Sequence, residues 1–274
     1  MAHRRFKQVD VFGTASFMGN PVAVVLDAAD IPDETLAAIA RWTNLSETTF
    51  VLPATDPRAD YRVRIFTTLH EMPFAGHPTL GTCHAWLEAG GKPKGDEIIQ
   101  ECGIGLVRIR RDEGLLAFIA PPLIRPGAAD ASQVESIRTA LGIEEADLLD
   151  AQWVDNGAGW LALRLASRES VIRVEPDFTR LGATPVGIFA GEGKDFELRA
   201  FIAGDAMPED PVTGSLAAGV ATWLASEGLA PDTYTFHQGR KVGRAGAIHV
   251  RRDHDGLWIA GSTTTLIDGV LPAL

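Results

Sequence analysis

A pattern that occurs twice constrains this chain most. Arg64-Ile65-Phe66 followed by Met72-Pro73 is matched by Arg199-Ala200-Phe201 followed by Met207-Pro208, and both matches share one offset, since 199 − 64 and 207 − 72 each give 135. Two inserted residues later the apolar runs realign, Trp86-Leu87 on Trp223-Leu224, at an offset of 137, half of the 274 residues. A repeat of that period makes two like domains the expected architecture. Each copy carries its own lead-in strand, polar turn and apolar helix.

In the first copy Tyr61 to Thr67 alternates polar and apolar residues, the period of a strand with one buried face. Pro78 suits the first helical position because it has no amide proton to lose. Leu80, Ala85, Trp86 and Leu87 follow, and Gly90-Gly91 stops the run, so a helix is expected over 78–89. The second copy predicts a helix over about 214–227, after the turn Glu209-Asp210-Pro211-Val212-Thr213. Unpaired N–H groups at a helix start, with the positive end of the helix dipole, favour an anion beside His77, and a carboxylate suits that place. Two such turns facing each other across a domain interface would enclose one site.

The rest of the chain predicts more strands than helices: an opening pair at 8–12 and 20–26, then 48–53, 97–100, 106–110 and 115–119. Pro121-Pro122 marks a boundary, giving domains at 1–121 and 122–274, with residues 262–274 as candidates for returning to the first. Strands around Asn156-Gly157 and a helix over 132–141 open the second half. The fold class expected is α+β, two similar domains, each a mostly antiparallel or mixed sheet around a central helix. No Gly-x-Gly-x-x-Gly follows a strand and no Walker-type loop occurs. Gly239 to Gly246 reads equally as a loop steadying a sheet or as a phosphate cradle.

A net charge of −11 argues against a nucleic-acid surface, which needs clustered Lys and Arg. No stretch reaches the length of a bilayer span, and His3-Arg4-Arg5 leads into Phe6, Lys7 and Asp10 instead of an apolar leader core, so a cytoplasmic protein is expected. Cys83 and Cys102 have neither metal-ligand spacing nor disulfide-framework density and read as reduced, inert thiols.

Val9-Asp10-Val11-Phe12, Gly19-Asn20-Pro21, Asn44-Leu45-Ser46-Glu47-Thr48, Pro73-Phe74-Ala75-Gly76-His77-Pro78, Glu209-Asp210-Pro211-Val212-Thr213-Gly214-Ser215 and Gln238-Gly239-Arg240-Lys241 stand in an order that resembles the phenazine-biosynthesis PhzF-like isomerase family over nearly the whole chain. The resemblance implies the two-domain fold of diaminopimelate epimerase, a homodimer, and an active site between the domains that uses neither cofactor nor metal. It puts the acid/base carboxylate on Glu47, with His77 and Asp210 as its polar partners. Asn20, Ser46, Gly76, Gly214 and Ser215 fall near a bound small carboxylic acid of the trans-2,3-dihydro-3-hydroxyanthranilate kind. A shielded glutamate whose pKa burial raises toward the working pH could take a carbon-bound proton and return it elsewhere.

Each of these residues also has a plainer reading. Spacing alone makes Glu47 a solvated carboxylate at a strand start, His77 a turn histidine before Pro78, and Asp210 an Asx-turn residue before Pro211. The motifs in order reverse the first, and the repeated turn favours function for the other two. An epimerase-like or racemase-like enzyme working without cysteines, and a binding protein that kept the fold without the chemistry, stay open as alternatives. Residues 68–72, Thr-Leu-His-Glu-Met, depart from the lead-in the family predicts and leave the substrate open.

Overall fold

The computed structural model describes residues 3–204 and 207–272. The chain divides into two units, Met1–Ile119 with Ala260–Leu274, and Ala120–Ile259. In the first, the strands and helices run β1 (Arg4–Val11), β2 (Asn20–Val25), α1 (Asp33–Thr43), β3 (Glu47–Leu52), β4 (Tyr61–Phe66), β5 (Glu71–Met72), α2 (Gly76–Glu88), β6 (Ile98–Cys102), β7 (Gly105–Asp112) and β8 (Leu115–Ile119). The chain continues with β9 (Arg125–Ala128), α3 (Ala131–Ala140), β10 (Leu148–Asp155), β11 (Leu161–Leu165), α4 (Arg168–Arg173), β12 (Val186–Glu192), β13 (Asp195–Phe201), β14 (Glu209–Asp210), α5 (Gly214–Glu227), β15 (Thr233–Gln238), β16 (Gly246–Asp253) and β17 (Gly256–Gly261). A last strand, β18 (Thr263–Leu271), pairs antiparallel with β1 in the first unit; residues 273–274 of the expected return lie outside the described residues. The fold is α+β, dominated by sheet.

The two units repeat one pairing scheme. In the first, β1 is antiparallel to β2, β2 parallel to β3, β3 antiparallel to β4, and β4 carries the short β5 antiparallel and β6 parallel. In the second, β10, β11, β12, β13, β14 and β15 take the same places with the same senses. Even the outer neighbours agree, β18 on β1 and β9 on β10. The pairing also corrects the alignment of the repeat. Phe66 faces Glu71 and Phe201 faces Glu209, so Glu71 matches Glu209, and Met72 matches Asp210, not Met207. The offset from Glu209 on is thus 209 − 71 = 138, and it is kept at the helix starts Gly76 and Gly214. Three extra residues, not two, therefore fall before Glu209, and the expected match of Trp86-Leu87 to Trp223-Leu224 at 137 is out of step by one.

Both central helices are buried on nearly every face, Gly76 to Cys83 of α2 and Gly214 to Ala221 of α5, which is why neither reads as amphipathic. Helix α2 packs on β1, β2, β3, β6, β8 and β18. Close packing there needs glycine: a Cβ on Gly81 would collide with the Val22 side chain. α2 starts two residues before the expected Pro78. Pro78 then sits at the third helical position, still within the first turn, where a missing N–H costs nothing. At the other end α5 stops at Gly228, whose φ of 66° ends the helix in a left-handed cap. The strand β9 was not legible because it contains Pro126 and Gly127, residues that ordinarily mark a break. No helix among the described residues is long and apolar enough to cross a membrane.

The repeated Arg-x-Phe also has a structural cause. Arg64 forms a two-pronged pair with Glu71, at 2.8 and 2.7 Å, and lies 5.1 Å from the Phe66 ring centre. Arg199 does the same with Glu209, at 2.9 and 2.8 Å, and lies 5.0 Å from Phe201. In each unit this clamp fixes the short strand from which the chain turns into the central helix. The environments differ, for Glu71 is 42% exposed at its side chain and Glu209 only 10%. Arg199 also donates to the carbonyls of Val171 and Val174. Glu209→Gln should therefore cost about 3 kcal/mol or more by leaving a buried guanidinium charge without its counter-charge. Glu71→Gln should cost under about 1 kcal/mol, because its pair is partly solvated and Arg64 keeps Asp33. Urea unfolding of both variants checks the asymmetry, and equal losses would refute it.

Candidate active site

In the first unit the expected residues gather at one end of the sheet. β3 begins with Glu47 itself, one residue earlier than expected, and Glu47 lies beside Val22 in the parallel register with β2. β2 begins at Asn20, which is fully buried. Ser46 immediately precedes Glu47. Gly76 and His77 are the first two residues of α2, both buried. The chain enters that helix through Ala75, which has no capping side chain, so the first-turn amides are not spent on an N-cap oxygen.

His77 and Glu47, two of the expected catalytic residues, meet in this unit. Their Nε2 and Oε2 atoms stand 3.3 Å apart, with 4% and 13% of the side chains exposed. Burial pushes the His77 imidazole down to about 3, opposed only by a hydrogen bond to the backbone of Pro21. At neutral pH the contact is thus between a neutral ring and a carboxyl group, not an ion pair. Proline has no amide hydrogen, so the Pro21 carbonyl must accept and the ring must donate. His77 Nε2 makes no hydrogen bond, which leaves Nδ1 as the donor. Nε2 therefore presents a lone pair toward Glu47. Any proton lying between the two atoms is one that Glu47 carries. Such a carboxyl can give up a proton to a substrate and take one back without competing against a cation.

The second unit holds the other expected residues together at the start of α5. Asp210 is 7% exposed, and its Oδ2 accepts from Thr213 Oγ1 at 2.5 Å. Gln238 ties that turn down: its Nε2 donates to the Asp210 carbonyl at 3.0 Å and to Thr213 Oγ1 at 2.8 Å, and its Oε1 accepts the Thr213 amide at 2.8 Å. Ser215, the second residue of α5, is anchored by Trp160 Nε1 at its hydroxyl, 3.0 Å, and by Asn156 Nδ2 at its carbonyl, 2.8 Å. Gly214 and Ser215 begin a helix whose N-cap, Thr213, provides no side-chain cap.

Sequence reasoning missed Gln238, Thr213, Trp160, Asn156 and Pro21. The signal for Gln238 was its place before Gly239-Arg240-Lys241, a loop left between a structural and a phosphate-binding reading. The structure gives that loop a bracing role: Gly239 has a φ of 98°, and a Cβ there would stand 2.7 Å from the Pro211 carbonyl. Cys83 is buried with its thiol pushed up to about 12, which makes it inert as a base. Among the described residues the cluster able to bring three metal-donor atoms within 4.8 Å of one another is Asp253, His254 and Asp255, on a turn that holds none of the site residues.

The depressed His77 value has a consequence for acid stability. Between about pH 6.5 and 3 the unfolded chain binds a proton at this ring and the native protein does not, so stability falls as pH drops through that window. The slope is about 1.4 kcal/mol per pH unit for one group. His77→Gln removes it. Unfolding free energies of the variant between about pH 6 and 4 should decline less steeply than those of wild type by roughly that slope. Identical slopes would mean that His77 is not held neutral by burial.

Comparison with known proteins gives one family. A family model described as phenazine biosynthesis-like protein matches residues 9–269. The trans-2,3-dihydro-3-hydroxyanthranilate isomerase of Pseudomonas aeruginosa is 32% identical over 260 residues, covering 92% of this chain and 91% of the isomerase. Antisense-enhancing sequence 1 of Schizosaccharomyces pombe is 36% identical over 292 residues, 98% of this chain and 99% of that one. Among solved structures, a predicted epimerase from Pseudomonas aeruginosa aligns with a TM-score of 0.81 at 28% identity over 99% of this chain and 100% of the other. A hydroxyproline epimerase from Agrobacterium vitis aligns at 0.63 with 15% identity over 98% and 92%, a likeness of fold alone.

Proposed function

The chain belongs to the phenazine biosynthesis-like PhzC-PhzF family and is an isomerase, and from that premise we propose that it moves a carbon-bound proton within a small cyclic or conjugated carboxylic acid. The observation that carries this reading is the buried contact of Glu47 with a neutral His77 whose lone pair faces it. Glu47 takes a proton from one carbon as the double bond shifts and delivers it to another. His77 holds the carboxyl in place and accepts the proton's hydrogen bond while Glu47 carries it. Asp210 is proposed as a further polar residue of the acid/base chemistry, and Asn20, Ser46, Gly76, Gly214 and Ser215 as substrate-binding residues. The helix-start amides suit the substrate's carboxylate.

The name of the 32% identical relative makes trans-2,3-dihydro-3-hydroxyanthranilate the first compound to try. A homodimer in the cytoplasm, needing neither cofactor nor metal, is part of the same proposal. The test is deuterium uptake from heavy water into a panel of cyclic and conjugated amino and hydroxy acids, followed by mass and NMR. Wild type is expected to label or isomerise one compound class. Glu47→Gln, with unchanged unfolding, should lower that rate by roughly 100-fold or more, the usual reach of one general acid/base. Turnover by Glu47→Gln within several-fold of wild type would remove Glu47 from the chemistry. Binding of a compound by wild type without label or turnover would favour a binding protein of this fold.

A further inference from the structure

The loop that joins β1 to β2 is drawn tight at its neck. A Cβ on Gly13 would stand 2.7 Å from the Gly19 amide nitrogen and 2.9 Å from Asp10 Oδ2. A Cβ on Gly19 would stand 2.6 Å from Asp10 Oδ1 and 2.7 Å from the Gly13 amide nitrogen. Real Cβ atoms do not come so close, so both positions require glycine, and the Asp10 carboxylate lies across the pair with one oxygen toward each. Asp10 is only 5% exposed. A carboxylate is not taken out of water to that extent unless it is held there by other groups.

Two further features show that the neck is imposed on the chain. Phe12 and Phe17 both have left-handed backbones, with φ of 66° and 70°. Each costs about 1 to 2 kcal/mol relative to the ordinary regions. Phe12 is buried and its amide donates to the Ser262 carbonyl at 2.8 Å, while Ser262 Oγ donates to the Gly13 carbonyl at 2.6 Å. Phe17 is 69% exposed, so burial of its ring does not compensate its strain; the closure of the loop does.

What the neck delivers is the start of β2. In the β1–β2 register Asp10 faces Pro21 and Val11 faces Asn20. The Pro21 carbonyl is the acceptor that decides which nitrogen of His77 carries the hydrogen. We propose that Asp10 is a positioning residue for the acid/base pair: clamped across Gly13 and Gly19, its carboxylate sets the Pro21 carbonyl that selects the Nδ1–H form of His77 and turns Nε2 toward Glu47. The claim rests on the reading of Glu47 and His77 as that pair, but its test does not need a substrate.

The test is nitrogen NMR of ring-labelled histidine, with the His77 signals identified by their loss in His77→Asn. Wild type should show a protonated Nδ1 and a bare Nε2, unchanged from about pH 7.5 to 5, since the ring titrates at about 3. Asp10→Ala, folded by circular dichroism, should show mixed tautomers and a titration moved back toward 6.5. Once a substrate is in hand, kcat should fall roughly 10-fold or more with KM little changed. Asp10→Asn keeps the shape and one oxygen, and should fall between the two in tautomer population. It decides the matter alone if the alanine variant does not fold. A folded Asp10→Ala, or failing that Asp10→Asn, with the wild-type tautomer and titration overturns the proposal. A changed tautomer in a protein that turns over no compound supports the positioning role and counts against the acid/base reading instead.

Discussion

Each unit is built to cover a helix whose first two turns are buried on nearly every face. A stretch of that kind cannot lie on one face of a sheet with the other face wet; it has to be enclosed. In the first unit β1, β2, β3, β6, β8 and β18 all reach α2. Small residues set how close they come, and Gly81 against Val22 is the clearest case. Enclosure also determines where chemistry can be placed. A helix start sheathed by strands puts backbone amides and the first-turn side chains in a dry setting, and His77 there is depressed to about 3 by the loss of water alone.

The two copies share that scaffold and have diverged at its chemical positions. Counting from the aligned pairings, Pro185 stands where the first unit has Glu47, Ser215 where it has His77, and Asp210 where it has Met72. Both units keep a helix start whose N-cap residue makes no side-chain cap, which leaves the first-turn amides unspent on a cap oxygen. At these aligned positions the first has a carboxyl beside an imidazole, Glu47 with His77, and the second has Pro185 and Ser215. Duplication thus preserved the strand pairing and the helix start, while the side chains at these positions diverged. The Arg-Glu clamp belongs to the preserved part, because it orients the strand that feeds the helix in either copy.

The repeat, the two central helices and the candidate residues were legible because each leaves a local mark: an offset that recurs, an apolar run closed by Gly90 or Gly228, a polar turn ahead of a helix. Glu47 was readable only as a member of ordered motifs, since its spacing by itself favours a solvated carboxylate; His77 and Asp210, which spacing leaves open as a turn histidine and an Asx turn, were favoured by the repeated turn. The alignment of the two Met-Pro pairs misled, since an identical dipeptide need not occupy the same rung of a ladder. Cross-strand pairing, with Phe201 against Glu209, is what assigned the correct register.

By itself the sequence determined the α+β class, the duplication and the family, since hydrophobic period, turn chemistry and internal similarity are properties of neighbouring residues. Tertiary structure alone decided the rest. Pro21 and His77 are far apart in the chain, and no pattern foretells that one's carbonyl chooses the other's tautomer. Asp10 reads as one more polar residue of an alternating strand until the loop folds back and lays Gly13 and Gly19 along its two oxygens. Burial and long-range pairing govern protonation and hydrogen-bond direction, and both come into being only when the sheet closes around its helix.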